Sequence, residues 1–138
     1  MASTPVEALA VANQLCAPGG HITHVLGTGS MYPTLAEEGF AVMKVDFSAI
    51  HEGDICGVKV SPALKAEYPP NLRAATLIHR VVHRWKMKDE TAWETRGDNW
   101  VTNQTEDALP LVRDTYAGTA VCFVTWRGAS RSYAAGMF

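Results

Sequence analysis

Ser30 lies in the stretch Gly27-Thr28-Gly29-Ser30-Met31-Tyr32-Pro33-Thr34-Leu35, between a glycine and a methionine in a turn that Pro33 closes. A serine in a tight glycine-containing turn can present its hydroxyl outward, while its own N–H and a second donor such as Thr28 face a developing oxyanion. Serine and threonine in such a turn can equally do no more than bond the local backbone. The hydroxyl is a weak nucleophile near neutral pH and needs a base. The histidines stand at His21, His24, His51, His79 and His83. His79 and His83 fall on one face of the apolar stretch 76–85, where an imidazole is costly unless its ring nitrogens are paired. His79 therefore calls for either a structural partner or a chemical task. A base in turn needs a group to orient it, usually a carboxylate. The candidates are Asp98 in Thr95-Arg96-Gly97-Asp98-Asn99-Trp100, and Glu106 and Asp107 in the loop that follows. Asp98 also has a simpler use, because Asp-Asn in a turn caps backbone N–H groups. His21 and His24 lie three apart with no third ligand at a recognisable spacing, so no metal is expected.

These side chains need a scaffold, and the sequence describes a mostly β one. Thr4-Pro5-Val6-Glu7 reads as a helix start with a capping box, and Pro18-Gly19-Gly20 stops that helix near residue 17. Residues 21–26 look like a short strand leading into the serine turn. Residues 40–45 and 55–60 read as strands around the turn His51-Glu52-Gly53-Asp54. Residues 61–73 hold Pro62, Pro69 and Pro70 and read as a loop. The strongest strand is 76–85, with Leu77, His79, Val81, His83 and Trp85 on one face and Ile78, Arg80, Val82 and Arg84 on the other by the period of two. Residues 91–96 return as a strand, 103–110 form a polar loop, and 115–126 are a closing strand pair or one long bent strand. The expectation is a compact, mostly β single domain over residues 1–138, with a short N-terminal helix and linker in 1–20 and the β core in 27–126.

The bulk composition narrows the function classes. A chain of 138 residues buries enough surface to fold without a staple. Its formal net charge of -2 gives no basic excess, so no nucleic-acid partner is expected. Three cysteines at Cys16, Cys56 and Cys122 are odd in number and widely spaced, which fits small buried hydrophobes in a reducing compartment rather than a disulfide framework. The apolar residues 6–17 are interrupted by Glu7, Asn13 and Gln14, and the first basic residue of the chain is Lys44, so the charged start of a secretory signal is lacking. Such a helix is shorter than the roughly 20 residues a bilayer requires. The chain reads as soluble as given, cytoplasmic or otherwise. Peripheral attachment to a membrane or partner protein and the oligomeric state stay open.

Taken in order, Thr28-Gly29-Ser30-Met31-Tyr32-Pro33-Thr34-Leu35, Glu52-Gly53-Asp54-Ile55, Leu77-Ile78-His79-Arg80-Val81-Val82, Glu94-Thr95-Arg96-Gly97-Asp98-Asn99 and Tyr116-Ala117-Gly118-Thr119-Ala120-Val121 resemble the boxes of the signal peptidase I family of serine proteases. The resemblance is to the branch found in archaea and the endoplasmic reticulum and covers residues 28–121. It implies a compact signal-peptidase-like, LexA-like β fold and a serine endopeptidase that needs no cofactor. It also implies a peptide or preprotein substrate, held extended against strand edges and cut after small residues. Ser30 is then the nucleophile and His79 the base, where bacterial relatives and the LexA-like repressors use lysine. Histidine suits neutral pH without strong desolvation. Thr28 and the Ser30 N–H would form the oxyanion site, with Met31 and Pro33 beside the substrate. The family's further aspartate falls by spacing on Gln104 here, leaving Asp107 as the favoured third member and Asp98 as support for the turn. Two rival readings remain: a LexA- or UmuD-like self-processing regulatory domain, disfavoured by the short arm of 29 residues before Ser30, and an inactive peptide-binding or assembly module on the same fold.

Overall fold

The computed structural model describes residues 2–25, 30–31, 34–59, 76–87, 90–107 and 109–130. The sequence-expected loop at 61–73 lies outside them, as do Thr28 and Pro33. Among the described residues, one α-helix and six strands make a mostly β protein. Helix α1 spans Pro5–Leu15. The strands are β1 (His21–Val25), β2 (Gly39–Lys44), β3 (Ile55–Lys59), β4 (Thr76–Met87), β5 (Glu90–Arg96) and β6 (Tyr116–Val124). They form one sheet in the order β1-β2-β6-β3-β4-β5, with every pairing antiparallel.

Helix α1 starts as its sequence dictates. The Thr4 hydroxyl accepts the Glu7 N–H at 3.2 Å, satisfying one orphan donor of the first turn, and the Glu7 carboxylate reaches back past the cap to accept the Ser3 N–H at 2.9 Å. The helix ends two residues before the expected position. It buries Ala8 and Ala12, whose small side chains allow a close approach to the sheet.

The closing segment 115–126 resolves into one bent strand. β6 pairs with β2 on one side and β3 on the other, and its register shifts on both sides. Gly118 sits at the bend with φ +130°, where a side chain would be strained. Through β6 the β1-β2 and β3-β4-β5 segments become one sheet.

Alternation buries apolar side chains on both faces of the sheet. Cys56, Val58, Val81, Trp93, Leu111 and Tyr116 share one cluster with Ile50 and Leu109. Ala41, Met43 and Ile78 form the core of the other, with Val25, Leu35, Ile55, Ala120 and Phe123 packed around them. The expected two-face pattern of β4 holds only as far as Val81. The β4–β5 register slips between Val81 and His83, and His83 and Trp85 are exposed, so His83 does not continue the buried face of His79. The cysteine expectation needs the same correction. Cys56 is buried, whereas Cys16 and Cys122 are only partly so, and all three are free. Among the described residues, no helix is long and apolar enough to cross a membrane.

Candidate active site

β3 and β4 place the imidazole. His79 is the direct cross-strand partner of Cys56 and lies on the same face as Val58 and Val81, only 6% exposed. Both of its ring nitrogens are engaged. Nδ1 lies 2.5 Å from Asp107 Oδ2 and Nε2 lies 3.1 Å from Ser30 Oγ. The structure therefore brings Ser30, His79 and Asp107 into one chain of hydrogen bonds.

Asp107 reaches this position through the path of its loop. The chain leaves β5 at Arg96 and makes a turn in which Asn103 N–H bonds Asn99 O at 2.9 Å. It then comes back along β5, where Asp107 N–H bonds Thr95 O at 2.8 Å. Further on, Trp93 and Leu111 exchange both backbone hydrogen bonds at 2.8 Å. Thr95, fully buried, donates its hydroxyl to the same Asp107 oxygen at 2.7 Å. A carboxylate taken out of water needs such donors.

Asp98 belongs to a different structure. Arg80, next to His79 but on the opposite face of β4, grips it in bidentate fashion, with Nε to Oδ1 and Nη2 to Oδ2 both at 2.8 Å. Thr34 adds its hydroxyl at 2.5 Å, and Arg80 Nη1 also donates to Gly53 O at 2.6 Å. The hydrogen bonds from Arg80 hold the Asp98 carboxyl below the usual carboxylate range, against the opposing effect of burial and with help from Thr34. Arg80 is in turn held above its ordinary value by the same pair.

The Gly97-Asp98-Asn99 turn clamps the serine turn. Ser30 O accepts the Asn99 N–H at 2.9 Å and the Asn103 side-chain amide at 3.1 Å. Asp98 N–H points at the Met31 sulfur, 3.4 Å away. The turns meet so closely that a Cβ on Gly97 would lie 2.5 Å from Ser30 O and from Asn103 Nδ2. Only glycine permits this approach.

Comparison with known families, curated proteins and solved structures finds no match. What the site can do is therefore read from its own side chains.

Asp107 accepting from Nδ1–H leaves Nε2 as the acceptor for the Ser30 hydroxyl, the arrangement that removes a proton from an attacking oxygen. Cys56 is no rival nucleophile, because burial pushes its thiol up to about 11, with partial relief from the Thr119 hydroxyl. Met31 is 5% exposed and anchors the turn from beneath, which leaves it little surface for a substrate. Glu106 is exposed. His83 packs edge-on against Trp85 at 4.6 Å, and His24 pairs with Glu38 at 2.7 Å. Thr95, Asn99 and Asn103 were not singled out from the sequence. A buried threonine opposite Val81 was a usable signal, but only once the β4–β5 register is known.

Proposed function

We propose that this protein is a serine endopeptidase of the signal-peptidase type. The observation that carries the reading is the relay from Ser30 Oγ through His79 to Asp107, at 3.1 and 2.5 Å. In this mechanism Ser30 Oγ attacks the scissile carbonyl carbon as its proton passes to His79 Nε2. Asp107 keeps the imidazole in the tautomer that accepts at Nε2 and stabilises the imidazolium. The carbonyl oxygen becomes the oxyanion, for which the Ser30 N–H is the donor at hand. Collapse of the intermediate breaks the C–N bond, and the proton on Nε2 goes to the departing amine. Water then repeats the sequence on the acyl-serine and returns the hydroxyl to Ser30. The clamp on Ser30 O fixes the peptide plane that follows the nucleophile, so Oγ is held before substrate arrives.

An extended peptide has a natural place beside this centre. β4 is paired with β5 only from Arg80 onward, and residues 76–79 run directly up to the base. A peptide lying there would add a strand, with small residues fitting next to the cleaved bond as the family resemblance implies. The test combines a fluorophosphonate probe with Ala-x-Ala peptides. Ser30 is expected to be labelled, and Ser30→Ala and His79→Ala are each expected to abolish both labelling and cleavage. Cleavage by both variants at the unmutated rate would rule the mechanism out.

A further inference from the structure

Beyond the clamp, the Gly97-Asp98-Asn99 turn delivers Trp100 and Val101, which are 65% and 56% exposed. Scattered surface apolar residues need no explanation, but Trp100 is not a loose one. The Arg96 guanidinium lies over its ring, 3.8 Å from the centroid, well within cation–π range. Arg96 is itself fixed, because its Nε donates to Asn103 O at 2.6 Å. Asn103 in turn donates to Ser30 O. The indole is thus held on one face by a cation tied to the same asparagine that holds the nucleophile, and most of its surface is open to solvent. Trp100 directly follows Asn99, whose N–H bonds Ser30 O.

We infer that Trp100 is a specificity-determining residue that receives an apolar or aromatic side chain of the substrate near the scissile bond. This inference rests on the endopeptidase reading above. An aromatic plate that is already oriented binds without the ordering cost of a free side chain. Its place one residue from the clamp restricts the contacted substrate position to within roughly three residues of the cut, at about 3.3 Å per residue of extended chain. A positively charged side chain is disfavoured there, since Arg96 already occupies the neighbourhood.

The test measures binding rather than turnover, so that it stands apart from the test of the mechanism. Fluorescein-labelled peptides carry an Ala-x-Ala core with a single Leu or Phe walked through three positions on either side, in a glycine background. Their affinities are measured by fluorescence polarisation for Ser30→Ala, Ser30→Ala/Trp100→Ala and Ser30→Ala/Trp100→Phe. In the Ser30→Ala protein one position is expected to favour Leu or Phe over glycine by about fivefold, the size of a single aromatic contact. That preference is expected to vanish with Trp100→Ala and to survive with Trp100→Phe. A preference that persists in Trp100→Ala, no position with a preference, or no peptide binding at all would each overturn the inference. A Trp100-dependent preference in a protein that neither cleaves peptides nor reacts at Ser30 would uphold the contact while removing the endopeptidase reading.

Discussion

His79 and Arg80 are consecutive residues of β4, and each holds an aspartate, but the two pairs are built for different ends. On the His79 side the network is buried. The imidazole and carboxylate side chains are 7% and 12% exposed, the Thr95 hydroxyl donates to Asp107, and the chain of bonds ends on the Ser30 hydroxyl, which has a proton to give. On the Arg80 side the guanidinium is 33% exposed and the bonds end on a backbone carbonyl and a threonine. Arginine does not give up its proton, so that pair can clamp but cannot relay. The strand's alternation thus separates a buried hydrogen-bond chain from a surface clamp by a single residue.

The largest expected break in this comparison is at Asp107. Asp107→Asn keeps the shape but presents the wrong hydrogen-bonding group to Nδ1, and kcat on an Ala-x-Ala peptide is expected to fall by about 10⁴-fold. Asp98→Asn is expected to lose far less; an equal loss would merge the two roles. Gly97→Ala comes next. Its Cβ would press on the Ser30 carbonyl, and the displaced nucleophile is expected to reduce kcat by about 10²-fold with little change in KM. Thr95→Val removes one donor from a buried carboxylate and is expected to lower stability by about 1–3 kcal/mol in urea denaturation.

The smallest effect is the stability contribution of Asp98. Its carboxyl is held below its ordinary value in the folded state, so the folded form binds the proton less readily than the unfolded one. The contribution is fully present above the unfolded value and fades as pH falls through the folded one. Asp98→Asn is therefore expected to cost about 1 kcal/mol at pH 7, a modest figure because solvent screens the pair. That difference should shrink steadily as pH falls from the ordinary aspartate value of about 3.9 through the lower value of the folded state. Thermal unfolding of both proteins across this range checks the sign. A gap that widens on acidification would contradict it.

Much of this architecture was readable from residue order. The start of α1 followed from Thr4, Pro5 and Glu7, and the strands followed from alternation and turn residues, with ends displaced by one or two positions. His79 stood out because an imidazole on an apolar strand face needs partners, whereas Ser30 alone was an ordinary turn residue and stood out only through the resemblance of the boxes taken in order. What the sequence hid was register. The slip after Val81 turned His83 outward against expectation, and no local pattern marks it. Asp107 was ambiguous with Asp98 because both are turn or loop aspartates after β5, and only the bonds back to Thr95 reveal which one reaches His79. The clamp on Ser30 O was invisible for the same reason, since Asn99 and Asn103 act through contacts some 70 positions away in sequence, as the Asn103–Ser30 bond shows.

The central place of β6 carries a consequence for synthesis. Ser30 precedes β2 and His79 lies in β4, and among the described residues the sheet joins those halves through Tyr116–Val124. A ribosome delivers the chain from its N-terminus, so the serine and the histidine are both made long before the strand that unites their halves. Contacts of such long sequence separation form late and slowly. An unfinished chain thus carries both halves of the pair without the sheet that holds them together. The sheet that positions Ser30 and His79 is therefore complete only once residues 116–124 have been added.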